Sequence, residues 1–261
     1  MNGYVHGYSV REAERLADQA AILEFLIHDG LSFPPGTHML EPGCGTGRQT
    51  AALLARHPGI HITALDIDAG QLAAARTACP GDRVTWRNGD LHTTPLPAGG
   101  FDHGFVCFLL EHLADPAAAL AVLRRCIRPG GGVTVVEGDH GSCRVFPETP
   151  AALAAWNALV TAQRRLGGDP DIGRRLHGLL TTAGFTDVRV EPRTVFADAG
   201  SPALRAGFTR RIIVPMVAGA VDADEHAGGL ADLDAVAEGP TGVITYTFYR
   251  ATARAGETER A

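Results

Sequence analysis

Short apolar segments alternate with helical patterns along the first half of the chain, and this alternation most restricts the fold. The apolar segments are rich in β-branched residues and have strand length. Strands are predicted over residues 38–41, 60–66, 84–88, 101–108 and 133–137, and helices over residues 48–56, 70–79 and 116–126. Strands separated by helices at this spacing form right-handed βαβ units with parallel strands covered on both faces. The sequence therefore predicts an α/β fold.

The regular alternation ends after Glu137. Helices are predicted over residues 10–28, 150–165, 172–183, 202–221 and 227–237, and strands over residues 188–195 and 243–253. Ser9 and Glu12 form a capping box for the first of these helices, and Thr149 is the predicted N-cap of the second. Gly184 predicts a left-handed helix end, and Pro215 should kink or break the helix that contains it.

Composition excludes several classes of function. The net charge is −6 with no basic block, so a nucleic-acid partner is not expected. All 23 basic residues are arginine, which removes Schiff-base chemistry and a phosphate-loop lysine. The five cysteines form no CxxC pair and are expected to be free thiols in a reducing cytoplasm, with little support for a metal site. Neither a membrane span nor a secretory signal is predicted, and homo-oligomer formation stays open.

A glycine-rich loop, Glu41-Pro-Gly43-Cys-Gly45-Thr-Gly47, joins the first strand of the alternating region to a helix. Glycines at such a junction let the backbone approach a nucleoside closely, and the helix N-terminus presents free N–H groups. The dinucleotide fingerprint G-x-G-x-x-G requires a third glycine where this chain has Arg48. An NAD-dependent oxidoreductase is therefore the less favoured alternative.

Acidic residues stand at the ends of the next two strands. Asp66 can accept hydrogen bonds from both hydroxyls of a ribose, and its distance from the glycine loop fits one βαβ unit. Asp68 is better explained as the N-cap of the following helix. Asp90 could accept a hydrogen bond from an adenine amino group, although taken alone it is a turn residue. Ligands bind at this carboxyl edge in open α/β sheets.

These segments together resemble the successive motifs of class I methyltransferases that use S-adenosylmethionine (SAM). The motifs are Glu41-Pro-Gly-Cys-Gly-Thr-Gly47, Leu65-Asp66, Gly89-Asp90, Phe101-Asp102 through Leu110-Glu-His-Leu113, and Ile127-Arg-Pro-Gly-Gly131. The resemblance implies SAM as cofactor and a Rossmann-like, seven-stranded, mostly parallel sheet with an antiparallel last strand. Residues 6–9 and 137–142 are similar to those of the UbiE-like small-molecule branch, which includes natural-product C-methyltransferases such as the teleocidin tailoring enzyme.

Carried over by position, the resemblance assigns a set of cofactor-binding residues. The glycines would line the methionine and ribose portions, Asp66 the ribose hydroxyls, and Ile67, Asp90 and Leu91 the adenine. Phe108 would lie near the sulfonium, where an aromatic ring suits a cation. The complete set comprises Tyr8, for the methionine carboxylate, Glu41, for the methionine amino group, Gly43, Gly45, Gly47, Asp66, Ile67, Asp90, Leu91 and Phe108.

Two histidines are the candidate catalytic residues. Methyl transfer needs a base only when the nucleophile must lose a proton. His140 follows a predicted strand on the cofactor edge, titrates near neutral pH, and Asp139 could orient it. His140 could equally bind substrate or cap a turn. His112 is the second candidate, with a structural role beside Glu111 as the alternative.

Residues 141–165 and 199–239 are expected to supply the substrate region. Apolar candidates for its wall are Tyr4, Trp156, Phe208, Ile212 and Met216, all of which are also compatible with ordinary core positions. Insertions on the ligand edge favour an enclosed pocket for a small molecule. Arg164 and Arg210 could bind an acidic substrate, or be solvated.

The predicted organisation is an N-terminal lid segment and helix (1–30), a SAM-binding core (31–140), a helical insertion (141–170), the rest of the core (171–254) with a helical lid insertion (199–240), and a tail (255–261). The predicted function is methyl transfer from SAM to a small-molecule acceptor in bacterial secondary metabolism. A SAM-binding regulatory protein without catalytic activity is the alternative outside the enzymes.

Overall fold

The computed structural model describes residues 10–256, and within them only the backbone of residues 10–14 and 17. One sheet of seven strands organises this part of the chain. The strands are β1 (His38–Pro42), β2 (His61–Asp66), β3 (Val84–Asn88), β4 (Phe101–Cys107), β5 (Ile127–Phe146), β6 (Phe185–Ala197) and β7 (Val243–Ala255). The helices are α1 (Val10–His28), α2 (Arg48–Arg56), α3 (Ala69–Ala78), α4 (Pro116–Cys126), α5 (Pro150–Arg165), α6 (Leu176–Thr182), α7 (Pro202–Phe208), α8 (Val214–Ala218) and α9 (Ala227–Ala235).

The strand order is β3-β2-β1-β4-β5-β7-β6. Strands β1 to β5 pair in parallel, whereas β7 pairs antiparallel with both β5 and β6. The Rossmann-like, mostly parallel sheet with an antiparallel last strand is therefore confirmed. The strand order reverses between β1 and β4, and the carboxyl ends of parallel strands at such a reversal form a crevice where ligands bind.

Adjacent residues in each central strand pack into different cores. Met39 and Phe105 belong to a cluster with α1, α2, α5 and the helices after β6, whereas Leu40 and Val106 belong to a cluster with α4 and α6. Because side chains alternate across a strand, this division shows that both faces of the sheet are covered. Among the described helices, none is both long and apolar enough to cross a membrane.

Helix caps follow the sequence expectations where the structure describes them. The Asp68 carboxylate accepts a hydrogen bond from the Gln71 N–H, which confirms Asp68 as the N-cap of α3. Thr149 caps α5 in the same way, with Pro150 as the first helical residue. Gly184 follows α6 with a φ of 84°, as expected for a left-handed helix end. The capping box at Ser9 lies outside the described residues.

Strand β5 differs from the prediction, which ended it at residue 137. It continues to Phe146, and its pairing with β7 is interrupted between Asp139 and Arg144. The residues in between form a bulge, because residues 140–143 of β5 lie opposite the single residue Tyr246 of β7. The Ser142 hydroxyl closes this bulge by donating to the Asp139 carbonyl (2.6 Å) and accepting the Thr247 N–H (2.8 Å).

The helix predicted over residues 202–221 is also interrupted. The break lies ahead of Pro215, as a π-helical turn over Thr209–Ile213 between α7 and α8. Proline lacks the N–H that would continue an α-helical ladder, so a change of hydrogen bonding just before it has a physical cause. This π-helical turn faces the carboxyl end of the sheet, where it forms part of the site described below.

Candidate active site

The glycine loop between β1 and α2 is held open by backbone hydrogen bonds and left-handed glycines. Gly43, Gly45 and Gly47 have φ values of 71°, 52° and 74°. The N–H groups of Gly43 and Cys44 donate to the Leu65 carbonyl of β2 (2.8 and 3.2 Å). A Cβ on Gly43 would lie 2.8 Å from Leu109 Cδ1, whereas a Cβ on Gly45 would meet nothing within 4 Å. The loop is therefore packed at Gly43 and open at Gly45.

Asp66 ties this loop to the end of β2. Its Oδ2 accepts the Gly45 N–H at 2.7 Å and its Oδ1 accepts the Asp68 N–H at 2.9 Å. A carboxylate has about four acceptor positions, so about two remain for a ligand. Ile67, the next residue, leaves 57% of its surface exposed. Asp66 thus organises the loop in addition to presenting acceptors beside an exposed apolar side chain.

Glu41 lies beneath the loop and is almost fully buried, with 3% of its surface exposed. The Thr50 hydroxyl of α2 donates to its Oε2 at 2.6 Å. Burial raises the pKa of Glu41 to about 8, against the opposing effect of that hydrogen bond. A contact between this carboxyl and a methionine amino group would therefore run through water or require a small opening.

Asp90 and Leu91 follow β3 at the same edge of the sheet. Asp90 is half-buried, and its Oδ1 accepts the His92 N–H at 2.7 Å. A side chain that accepts the N–H two residues ahead is typical of a turn. Leu91 is half-buried against the cluster of α4 and α6.

The residues present fit a nucleoside attached to a methionine group. The loop has open space at Gly45, where an added methyl would fill a cradle. Beside it stand a half-buried carboxylate at Asp66 and the exposed face of Ile67. Ribose hydroxyls need acceptors and adenine needs an apolar face. These residues therefore match the cofactor that the sequence resemblance implies.

A sharp turn after β4 adjoins the loop. Phe108 has a φ of 54°, which is uncommon for a residue with a side chain and marks local strain. The buried Glu137 of β5 holds this turn, since its carboxyl accepts the N–H groups of Leu109 (3.0 Å), Leu110 (2.7 Å) and Glu111 (3.4 Å). Burial, together with the nearby Glu111, raises the pKa of Glu137 well above its usual range, although the three N–H groups oppose this effect.

A cavity opens beyond Phe108, between the ends of β5 and β7 and the helices α1, α7 and α8. Its enclosed volume is about 50 Å³, and it is open toward solvent. The apolar part of its wall comprises Leu16, Phe108, Phe208, Ile212, Ile213, Met216 and Phe248, and the polar part comprises Arg15, Gln19, Glu111, His112, His140 and Tyr246. Ligand pockets have this mixture of an apolar wall with few polar groups.

His140 reaches the cavity from the bulge in β5. Its Nδ1 lies 2.6 Å from the Tyr246 hydroxyl, and its backbone N–H donates to the Pro170 carbonyl at 2.8 Å. Burial lowers the pKa of His140, although the nearby Glu111 opposes this effect. The expectation that Asp139 orients His140 is wrong. The Asp139 carboxylate is instead held by two hydrogen bonds from Arg174, at 2.9 and 2.5 Å.

His112 and Glu111 lie at another side of the cavity. His112 Nε2 is 3.6 Å from Glu111 Oε1. The second carboxylate oxygen of Glu111 accepts a hydrogen bond from Gln163 Nε2 at 3.1 Å. Although burial raises the pKa of Glu111, the positive charges around it, led by His112, outweigh burial and lower that pKa overall.

The structure brings three of the predicted substrate residues together and separates a fourth. Phe208, Ile212 and Met216 line the cavity. Trp156 lies behind it, where its indole N–H donates to the His140 carbonyl at 3.1 Å and its ring packs against Tyr246. Tyr4 and Tyr8 lie outside the described residues.

The arginines considered for an acidic substrate are engaged elsewhere. Arg164 pairs with Asp171 at 2.6 Å. Arg210 forms hydrogen bonds with both carboxylate oxygens of Asp234, at 2.9 and 3.0 Å, and pairs with Glu238.

Sequence reasoning missed the aromatic residues of β7 that form part of the cavity. Tyr246 and Phe248 pack with ring centroids 4.6 Å apart, and Phe248 contacts Phe108 at 5.5 Å. The alternation Ile244, Tyr246, Phe248 already indicated one apolar face of the strand. The alternation does not predict that this face lies over the crevice, because that position depends on the pairing of β7 with β5.

A larger groove lies at the opposite edge of the sheet. It runs along residues 30–37 and the amino end of the parallel strands near Asp102 and Arg128. Its lining is mostly polar and open, and it is remote from the carboxyl ends of the strands, so it does not compete as the candidate active site.

Comparison with known proteins finds similarity to methyltransferases. Residues 40–135 match the methyltransferase domain family. An O-methyltransferase from Pyrenophora dematioidea is 28% identical over 224 residues, which cover 79% of each chain. A 37.1 kDa protein in transposon TN4556 of Streptomyces fradiae is 34% identical over 186 residues, which cover 70% of this chain and 53% of that protein. This chain thus spans about half the length of the Streptomyces relative.

A solved structure gives the same result for the fold. Phosphoethanolamine N-methyltransferase 2 of Haemonchus contortus, in complex with S-adenosylhomocysteine, superposes with a TM-score of 0.60 at 16% identity, covering 91% of this chain and 52% of the other. At this identity the likeness shows the fold alone. The open glycine loop and Asp66 at the end of β2 agree with this fold, and residues 40–135 are similar to a methyltransferase domain.

Proposed function

We propose that this protein transfers the methyl group of SAM to a small organic acceptor bound in the cavity beyond Phe108. The observation that carries the proposal is the contact between the two parts of the site. Leu109 packs directly against Gly43 of the cofactor loop, while its neighbour Phe108 forms part of the cavity wall. A methyl donor on the loop and an acceptor in the cavity would therefore meet at Phe108.

The cavity wall favours a small molecule with an apolar ring or chain. Phe108, Phe208, Tyr246 and Phe248 form a continuous aromatic group with centroid separations between 4.6 and 6.4 Å. Aromatic walls contribute a large contact area to a bound ligand, and a few convergent polar groups fix its orientation. Together with the net charge of −6, this lining supports an organic metabolite in preference to a nucleic acid.

The protein's contribution to the reaction is to hold the two reactants in line. SAM supplies a methyl group on a sulfonium, which is reactive without further activation. The Phe108 ring would lie beside that sulfonium, where an aromatic ring stabilises a cation. Glu137 fixes the turn that carries Phe108, and the apolar residues of the π-helical turn exclude water from the cavity. His140 would contact the acceptor directly.

Secondary metabolism of a bacterium is the setting we propose for this reaction, on the similarity of residues 6–9 and 137–142 to small-molecule methyltransferases. The five cysteines are free thiols, which suits a reducing cytoplasm. Carbon, nitrogen and oxygen nucleophiles all fit the same geometry.

The direct test is a screen of metabolite extracts with methyl-labelled SAM, read by the compound that gains the label. Transfer to a small molecule supports the proposal. Binding of SAM without transfer to any fraction would instead support a SAM-binding regulatory protein. Label recovered in protein or nucleic acid would overturn the acceptor class.

The cavity itself can be tested with a matched pair of variants. Met216→Trp adds bulk to the cavity wall and should abolish transfer while the affinity for SAM stays unchanged. Leu153→Trp adds the same side chain at an exposed position of α5 and should leave both properties unchanged. Full transfer by Met216→Trp would show that the acceptor binds elsewhere.

A further inference from the structure

The Tyr246 hydroxyl lies 2.6 Å from His140 Nδ1, and its oxygen also accepts a hydrogen bond from the Asp139 backbone N–H, which leaves His140 Nδ1 as the acceptor for its hydrogen. Tyr246 is 2% exposed and is surrounded by the rings of Trp156, Phe208 and Phe248. A buried hydroxyl that fails to donate its hydrogen loses a full hydrogen bond, so such groups are almost always paired. The phenol therefore donates to His140 Nδ1.

This donation fixes the tautomer of His140. A neutral imidazole has one protonated and one unprotonated nitrogen, and the nitrogen that accepts a hydrogen bond is the unprotonated one. With Nδ1 accepting from Tyr246, the proton of the neutral ring resides on Nε2. Burial lowers the pKa of His140, which favours the neutral ring.

The ring is also held against rotation. Trp156 donates to the His140 carbonyl, the His140 N–H donates to the Pro170 carbonyl, and the Trp156 ring packs at 5.5 Å from the imidazole. Within the described part of the chain, the His140 Nε2 atom makes no hydrogen bond, and it is not fully buried. Nε2 is therefore accessible from the cavity that His140 lines.

We propose, on the basis of the function proposed above, that Tyr246 is a positioning residue that sets His140 as an Nε2–H donor to the acceptor molecule. His140 then holds a lone-pair atom of the acceptor and does not remove its proton. The acceptor class that this predicts is an apolar ring or chain carrying a carbonyl oxygen, a hydroxyl oxygen or an unprotonated ring nitrogen at the His140 end of the cavity. The Tyr246 and His140 pair acts on orientation, so it belongs to acceptor recognition.

Several charged groups surround His140, and the aspartates among them are paired with arginines and not with the imidazole. Asp139 and Asp171 lie beside the bulge and both are paired with arginines, Asp139 with Arg174 and Asp171 with Arg164. The carboxylate of Glu111 faces the same cavity together with His112.

The tautomer can be measured without knowledge of the acceptor. In the full-length protein labelled with nitrogen-15 histidine, two-bond proton–nitrogen correlation spectra distinguish the Nε2–H from the Nδ1–H form, and His140→Gln identifies the His140 signals by their loss. We expect the Nε2–H form in the wild type and a mixture of tautomers in Tyr246→Phe. Tyr249→Phe, on the other face of β7, should leave the spectrum unchanged. A wild-type Nδ1–H form, or an unchanged spectrum in Tyr246→Phe, would overturn the proposal.

Turnover of the acceptor found in the labelled screen then separates a donor from a base. Glutamine places an amide N–H near the position of Nε2 but cannot accept a proton at neutral pH. We expect His140→Gln to keep kcat within about tenfold of wild type, and His140→Ala and Tyr246→Phe to raise KM for the acceptor about tenfold, the effect of one hydrogen bond. An equal collapse of kcat in His140→Gln and His140→Ala would identify a base. If no acceptor is found, the proposed function fails while the tautomer measurement still stands.

Discussion

At the scale of single residues, a half-buried and a fully buried carboxyl group shape the site by accepting backbone N–H groups. Asp66 holds the glycine loop through Gly45, and Glu137 holds the turn after β4 through three successive N–H groups. Backbone N–H groups that are removed from water need such acceptors. Each of these acids therefore positions a segment of backbone that has no regular secondary structure of its own.

Asp66→Asn tests the first of these arrangements. The amide would turn an N–H group toward at least one donor or ribose hydroxyl, and we expect the free energy of SAM binding to weaken by about 1–3 kcal/mol. Isothermal titration calorimetry measures this change directly. Asp68→Asn is the matched control, because asparagine caps a helix as well as aspartate does and SAM affinity should not change. Equal affinities of wild type and Asp66→Asn would remove Asp66 from the cofactor site.

The sequence indicated the candidate cofactor residues more fully than the residues that hold the site together. Asp66 could be recognised because a strand end, a glycine loop and their spacing define its place within one βαβ unit. Glu137 could not be recognised in the same way, because its three partners lie 26 to 28 residues earlier in the chain. The partner of His140 was also mistaken, since Tyr246 is 106 residues away and Asp139 is adjacent.

At the scale of elements, the site depends on three departures from regular structure. They are the left-handed glycines of the loop after β1, the bulge in β5 and the π-helical turn between α7 and α8. Periodicity identifies strands and helices because side chains repeat every 2 or 3.6 residues. Bulges and π-helical turns interrupt that repeat locally, so the pattern predicted the elements around them and missed the irregular segments that reach the cavity.

Gly45→Ala separates the strain of a left-handed residue from the loss of space at the cofactor loop. An alanine there must adopt a φ near 52°, which costs roughly 1–2 kcal/mol, and its methyl group projects into the open cradle. We expect that loss of stability by urea unfolding, together with a loss of SAM affinity of tenfold or more. Gly36→Ala, with a φ of 85° and open space at the other edge of the sheet, should cause a similar loss of stability and no loss of affinity. Equal SAM affinities in the two variants would contradict close approach of the cofactor.

Ser142→Ala tests the bulge in β5. The variant leaves the Thr247 N–H and the Asp139 carbonyl without the hydroxyl that both contact, and we expect a loss of about 1–3 kcal/mol in the free energy of unfolding. Acceptor turnover should fall as well, because the bulge positions His140. Thr161→Ala, on the exposed side of α5, should change stability by less than about 0.5 kcal/mol. Unchanged stability in Ser142→Ala would show that the bulge is held by its other hydrogen bonds, from the Gly141 N–H to Asp171 Oδ1 (2.9 Å) and from the His140 N–H to the Pro170 carbonyl.

At the scale of the whole molecule, the sheet joins a half that carries the glycine loop and a half that carries the cavity, at the switch between β1 and β4. The motifs over residues 40–135 belong to the half with the glycine loop, and local spacing was enough to predict that half. The half with the cavity is assembled from α1, β5, β7 and the helices after β6, which are distant in sequence. Their packing depends on the antiparallel insertion of β7 between β5 and β6, so its lining required the three-dimensional structure.

The stability of the whole molecule should depend on pH through Glu41. Its pKa rises from 4.5 in an exposed carboxyl to about 8 in the folded protein, because burial disfavours the charged form. Between these values the folded state binds more protons than the unfolded state, so the free energy of unfolding falls as pH rises from about 4.5 to about 8.

Glu41→Gln keeps an oxygen for the Thr50 hydroxyl and removes the titration. Without SAM, we expect the variant to gain about 3 kcal/mol over wild type between pH 5 and pH 8. Urea unfolding at several pH values measures this, with Glu238→Gln as the control. Salt bridging with Arg210 lowers the pKa of the exposed Glu238, so any effect of that variant belongs below about pH 4.5. Parallel pH profiles of wild type and Glu41→Gln would show that Glu41 is charged in the folded protein at neutral pH.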